Sequence, residues 1–167
     1  MNNDKSNSKV VLVTGAGTGI GRAVALAFLR DGHHVVLAGR RVEPLQSVAK
    51  ESGSERALAV PTDVGNPDSV AALFAQIKDK FGRLDVLVNN AGVSGLGMNF
   101  EDIGFEQWQN VVNINLTGSF LCAQGAFKIM KDQLPQGGRI INNGSISAHA
   151  HDPIRRPTPR PNTPSRA

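Results

Sequence analysis

The 167 residues suit a single domain with chain enough for a real core, and 40% hydrophobic against 19% charged residues is a globular composition. The net charge of +4 comes from 18 Lys and Arg against 14 Asp and Glu, yet Arg155, Arg156, Arg160 and Arg166 account for the excess, so no basic stripe remains elsewhere and no nucleic-acid partner is expected. Cys122 is the only cysteine, which rules out an internal disulfide; the polar stretch Met1 to Lys9 holds no apolar leader and no run approaches membrane-spanning length, so the expectation is a cytoplasmic protein without a membrane partner.

Val10 to Val13 is β-branched and apolar, as a strand buried on both faces requires. Thr14-Gly15-Ala16-Gly17-Thr18-Gly19-Ile20-Gly21 follows, and Ile20, Ala23, Val24, Ala27 and Phe28 then recur at helical spacing. Glycines between a strand and a helix reach dihedrals closed to other residues and let a pyrophosphate approach the main chain. The helix start adds free N–H donors and a favourable dipole. Gly15, Gly17, Thr18, Gly19, Ile20 and Gly21 are therefore candidate dinucleotide-binding residues. A tight turn that binds nothing is the alternative.

His34 to Ala38 reads as a second strand and Glu43 to Ser52 as a helix with Pro44 in its first turn. A dinucleotide fold selective for NAD carries an acid here, about 20 residues past the glycines, to hold the ribose hydroxyls. This chain has Gly39, Arg40 and Arg41 instead. Two guanidinium groups suit a 2′-phosphate through charge-assisted bonds, so NADP(H) is preferred and NAD(H) remains possible; a solvated basic loop is the plain alternative.

Arg56 to Val60 gives a third strand, Asn66-Pro67-Asp68 starts a helix to about Phe81, and Leu84 to Val88 gives a fourth strand. A long helix is predicted from about Phe105 to Lys131, with Trp108, Val111, Val112, Leu116 and Phe120 supplying much of its buried side. Cys122 lies within it and reads as a buried inert thiol. Arg139 to Asn143 gives a fifth strand. The alternation, without internal repeat, predicts an α/β fold with a parallel sheet covered on both faces.

From about Lys9 to Ala148 the chain resembles the short-chain dehydrogenase/reductase family. Thr14 to Gly21 matches its TGxxxGxG turn, Asp63-Val64 the pair that contacts adenine, and Asn89-Asn90-Ala91-Gly92 its NNAG segment. Asn115 matches the asparagine of the long helix and Ser145 the serine after strand five. The resemblance implies a Rossmann-type doubly wound sheet, five strands in order 3-2-1-4-5, cut short before the remaining elements. It implies a nicotinamide-dependent oxidoreductase acting on a small carbonyl or alcohol, with no metal, and a homo-oligomer in intact relatives that this shortened chain is not expected to complete. Asp63, Val64, Asn90, Ala91 and Gly92 then join the cofactor site. Ser145 orients the substrate oxygen, and Asn115 holds a relay water by bonding through its side chain and opening the helix locally.

The family's proton donor is a tyrosine whose pKa is lowered by a nearby lysine. This chain contains no tyrosine, and Thr158 and Asn162 stand at the expected positions. Neither side chain can replace what is missing, and His149 and His151 are the next acids in sequence. Residues 149–167 are rich in proline and arginine and read as a disordered tail, just as residues 1–8 read as a flexible start. Such a tail suits a polyproline ligand or a basic anchor. A shifted reading frame explains it better: synonymous codons for Pro157 to Ala167, read one frame over, spell YTATKHAITG, which restores a tyrosine and a lysine at positions 158 and 162. The expected state is thus a catalytically crippled oxidoreductase. The alternative is a dinucleotide-binding or interaction module that uses its basic tail for a partner.

Overall fold

The computed structural model describes residues 8–94 and 100–145. The expectations for residues 1–7 and for the segment holding His149, His151, Thr158 and Asn162 lie outside that range.

β1 (Val10–Thr14) is buried along its whole length. It pairs in parallel with β2 (His34–Gly39) on one side and β4 (Val86–Asn89) on the other, so that Val13 faces Leu37 and Val88 across the sheet. β3 (Ala57–Pro61) extends the sheet beyond β2 and β5 (Arg139–Asn142) beyond β4, in the order β3-β2-β1-β4-β5 with every pairing parallel. This is the Rossmann-type arrangement, and it places the end of β1 and the neighbouring ends of β2 and β4 together at one edge.

Alternation along the strands divides the core in two. Val11, Val13, Val35 and Leu37 pack under helices α1 (Gly19–Arg30) and α2 (Val42–Ser52), against Ala25, Leu29, Leu45 and Val48. Leu12, Val36 and Leu87 face the other way, toward α3 (Pro67–Phe81) and the later helices, where Leu73, Ile77, Cys122, Ala126 and Ile129 meet them. α3 starts where the Asn66 side chain accepts the Ser69 N–H at 3.0 Å and Pro67 fixes the first helical dihedral; Gly82, at φ +68°, ends it.

The predicted long helix is present but changes pitch midway. α4 (Phe105–Val112) runs into a π-helical turn (Asn113–Thr117) and resumes as α5 (Gly118–Asp132). Its buried side differs from the expected one. Trp108, Leu116 and Phe120 are 53%, 68% and 60% exposed, and Val111 and Val112 are only half-buried. The helix instead turns Ile114, Gly118, Cys122, Ala126, Ile129 and Met130 inward. Small residues decide this. A Cβ on Gly118 would come within 2.8 Å of Val64, and one on Gly125 within 2.4 Å of the Phe74 ring, so these glycines are where the helix seats itself on its neighbours. β5 pairs with β4 alone among the described residues, and its Ile141 is 41% exposed.

Candidate dinucleotide site

The glycine turn is shaped by contacts that exclude side chains. Gly15 has φ +64° and Gly19 φ +54°, dihedrals that favour glycine. A Cβ on Gly21 would lie 2.2 Å from the Gly15 carbonyl oxygen and one on Gly17 2.8 Å from Pro44, so the turn folds tightly over the start of α1 and against α2. Beside Gly19 a Cβ would meet nothing within 4 Å. Thr18 is the N-cap of α1, its side chain makes no cap bond, and no acid stands in the first turn. That leaves the opening N–H groups and the positive dipole end to an incoming anion, over open space. Ile20, 64% exposed, stands at the same opening.

The turn is one wall of a cleft of about 150 Å³. Arg40 and Arg41 line it where β2 passes into α2, both exposed, with Arg41 the N-cap of α2. Main-chain bonds tie this corner together: Ala16 N–H donates to the Ala38 carbonyl at 3.1 Å and Thr62 N–H to the Gly39 carbonyl at 2.9 Å. Asp63 and Val64 line the next wall. The Asp63 carboxylate accepts the Gly65 N–H at 3.0 Å and its own N–H donates to the Ser69 hydroxyl at 3.0 Å, while Val64 is buried against Gly118.

Asn90, Ala91 and Gly92 follow β4, and Ala91 and Gly92 complete the cleft with Val93. Asn90 supports the cleft from behind. Its side-chain amide donates to the Thr14 and Gly15 carbonyls at 3.1 and 3.4 Å, and its side-chain oxygen accepts from Asn143 at 3.0 Å.

Asn115 lies within the π turn, so the helix does open at this residue. Its side chain makes two bonds to one backbone unit: Oδ1 accepts the Val93 N–H and Nδ2 donates to the Val93 carbonyl, each at 2.9 Å. The Asn115 carbonyl accepts the Ser119 hydroxyl at 2.8 Å. Ser145 is exposed beyond β5, two residues after Asn143, on the strand-end side of the molecule. Cys122 sits behind the site in α5, where burial pushes its thiol up to about 12; it stays protonated near neutral pH and supplies no nucleophile.

Sequence reasoning missed three supports. Thr14 is 1% exposed, and its hydroxyl accepts the N–H groups of Asn90 and Ala91 at 3.0 Å each. Asn89 is 4% exposed and donates to the Ser119 carbonyl and to Asn142 at 3.1 and 2.9 Å, fixing the first turn of α5 to β4 and β5. Ser119 is the third. Thr14 and Asn89 stand in the TGxxxGxG and NNAG segments, but their supporting bonds were signalled only by a polar residue ending an otherwise apolar strand.

Of the residues expected to hold a dinucleotide, Gly15, Gly17, Thr18, Arg40, Arg41, Asp63, Val64, Ala91 and Gly92 line one cleft, whereas Gly19, Ile20, Gly21 and Asn90 stand outside its lining. A family model described as short chain dehydrogenase matches residues 9–155. A 3beta-hydroxysteroid dehydrogenase of Mediterraneibacter gnavus is 41% identical over 143 residues, covering 84% of this chain and 51% of the relative. An uncharacterized oxidoreductase of Staphylococcus aureus is 40% identical over 139 residues, covering 83% and 59%. Among solved structures, a short-chain type dehydrogenase/reductase from Mycobacterium marinum superposes with TM-score 0.80 at 39% identity, over 85% of this chain and 56% of that one. The 3-ketoacyl-(acyl-carrier-protein) reductase from Brucella melitensis, a structure complexed with NADH, does so with TM-score 0.80 at 34% identity, over 84% and 58%. The chain thus spans little more than half the length of these relatives.

Proposed function

The chain belongs to the short-chain dehydrogenase family, and we propose that it is the cofactor-holding portion of an NADP(H)-preferring oxidoreductase whose substrate is a small carbonyl or alcohol. The observation that carries this reading is the shared cleft of Gly15, Gly17, Thr18, Arg40, Arg41 and Asp63. The open space beside Gly19 and the helix start without a side-chain cap support a pyrophosphate contact at the turn, and Arg40 and Arg41 in the same lining support a 2′-phosphate contact.

A nicotinamide cofactor supplies the hydride chemistry; the protein binds, orients and moves protons. Gly15 to Gly21 would hold the pyrophosphate, Arg40 and Arg41 the 2′-phosphate, Asp63 and Val64 the adenine, and Asn90 to Gly92 the inner ribose side. Ser145 would donate to the reacting oxygen of the substrate. Asn115, pinned to Val93, would keep the helix open for a proton-relay water. With no tyrosine in the chain, that relay has no terminal acid, and the 167-residue chain is proposed to bind cofactor without turnover.

The same missing tyrosine favours a second reading, a dinucleotide-binding module that performs no chemistry and uses its basic tail on a partner. Titration with NADPH and with NADH, followed by an assay over a panel of carbonyls and alcohols, tests both. Binding of neither cofactor overturns the first reading, and the second needs binding with no turnover even after the reading frame downstream of Ala148 is repaired.

A further inference from the structure

α3 and α5 lie side by side on one face of the sheet, and they touch where Gly125 offers no side chain to the Phe74 ring, which a Cβ there would approach to 2.4 Å. Ala71 and Ala75 on α3 are short and exposed, so their side chains leave the space beside that contact unfilled. The result is a groove of about 840 Å³ between the helices, within the range of small-molecule pockets. It shares no lining residue with the dinucleotide cleft.

The groove is apolar at one end and cationic at the other. α3 and α5 lead into the parallel strands β4 and β5, so they run in the same direction. From the contact of Phe74 with Gly125, Val70 and Leu121 lie one turn earlier, and Lys78 and Lys128 lie one turn later or close to it. Val70 and Phe74, 4% and 8% exposed, floor the first end with half-buried Leu121. Lys78, Lys128 and Lys131 border the second, with Asp132 the only acid in the lining. Lys131 reaches Asp132 at 4.0 Å, whereas Lys78 and Lys128 have no ion pair among the described residues. Lys78 and Lys131 belong to the last turns of their helices, where a cation complements the dipole; Lys128 precedes that turn, so the dipole does not account for it. An apolar stretch of about 12 Å along α3, from Val70 to Lys78, thus ends at two unpaired ammonium groups.

We propose that this groove binds an amphipathic carboxylate with one flexible apolar chain, the chain lying along Val70, Phe74 and Leu121 and the head meeting Lys78 and Lys128. The chain gains by leaving water over such a floor, and the ammonium groups select the sign of the head. The lining holds no arginine, so the planar fork that suits a phosphate is missing, and a head of single charge fits two lysines acting as point charges. Their aliphatic stems add apolar wall while the charges stay in water. The inference is independent of the cofactor reading, because the groove and the cleft have no residue in common.

Calorimetric titration of the 167-residue chain with decanoate, kept below the concentration at which it forms micelles, tests this. The variants are K78Q/K128Q, which keeps most of each stem but removes the charge, A71E, which sets a carboxylate at the apolar end, and F120Q/F127K on the outer face of α5, with circular dichroism showing that each keeps its helices. The expected result is saturable binding of one decanoate, weakened roughly threefold to tenfold in K78Q/K128Q and roughly tenfold or more in A71E, and unchanged in F120Q/F127K. Octanoate should bind more weakly by roughly fourfold for each methylene removed, and decyltrimethylammonium should not bind. Absence of saturable decanoate binding overturns the inference, as does equal binding of decanoate and decyltrimethylammonium. Binding that survives both groove variants but is lost in F120Q/F127K also overturns it, because the exposed phenylalanines are then the site.

Discussion

Asn90 is tied twice to Thr14: its N–H donates to the Thr14 hydroxyl at 3.0 Å, and its side-chain amide donates to the Thr14 carbonyl at 3.1 Å. The end of β1 and the segment after β4 are thereby one rigid corner beneath the glycine turn. Replacing Thr14 with Val keeps the shape and the β-branch but strands two N–H groups. The expected loss is about 1–3 kcal/mol of stability in urea unfolding, with Thr14→Ser recovering most of it. Equal midpoints for the Val and Ser variants would show the corner to be held by packing alone.

Cofactor choice should follow Arg40. Its replacement by Asp removes a charge-assisted partner of the 2′-phosphate and restores an acid for ribose hydroxyls. NADPH affinity should fall by roughly 1.5–3 kcal/mol, about ten- to a hundredfold, and the preference should turn toward NADH. Calorimetric titration giving one affinity for both dinucleotides in the unaltered chain would remove Arg40 from this role.

Acid sensitivity should trace to Asp85. Burial on its own pushes this carboxyl up, but the Arg83 guanidinium, the Val10 N–H at 2.8 Å and nearby Lys9 outweigh it and hold the group below its ordinary value. A carboxyl depressed in the folded state stabilises above the unfolded value near pH 4, and that contribution disappears as pH falls through the folded value. Asp85→Asn should therefore cost about 1.5–3 kcal/mol at pH 7 and flatten the decline of stability below pH 4. His34 acts in a different window. Its pKa is lowered by burial and by Arg56 and Lys80, so the unfolded chain takes the proton first and stability falls as pH drops below about 6.5. His34→Gln should remove that slope while leaving the Asp85 window in place, as thermal melts across the pH range will show.

The open side of the long helix should govern solubility. Leu116, Phe120 and Phe127 are 68%, 60% and 63% exposed, and an apolar stripe of this kind promotes association. Phe120→Gln with Phe127→Lys should make the protein more monodisperse in light scattering while changing stability by no more than about 0.5 kcal/mol. Ile129→Ala, on the buried side of the same helix, should instead cost about 2–5 kcal/mol. A large loss from the phenylalanine pair would mean that those rings are covered in solution.

All five strands and the glycine turn were readable because each rests on local pattern: unbroken apolar runs, turn glycines and alternating elements; the strand order followed from the resemblance to the short-chain dehydrogenase/reductase family. The buried side of the long helix was not. A helical apolar period appears on two sides of Phe105–Asp132, and nothing in the spacing says which meets the sheet. That choice rests on where Gly118 and Gly125 let the backbone approach Val64 and Phe74, a property of residues that add nothing to a hydrophobic pattern. Thr14 and Asn89 were read only as members of their motifs, and their supporting bonds were not foreseen for a related reason. Their partners are 74 to 77 and 30 to 53 residues away, beyond any local window.

The π turn has a consequence for how this gene tolerates changes in length. A wide turn is one residue longer than the α-helical turn it replaces, so the segment Asn113–Thr117 holds a residue that the helix could shed without breaking. Most single-codon deletions inside a buried helix are ruinous. Here the wide turn already absorbs the extra residue, so a deletion would let it close to ordinary pitch with α4 kept roughly in phase with α5. What would be lost is the local opening itself, and with it the placement of the Asn115 side chain on Val93. A shortened allele should therefore yield a helical, folded product that lacks the tie between Asn115 and Val93 beside the cleft, and deep indel scanning across these five codons should separate abundance from ligand binding there more sharply than in α5.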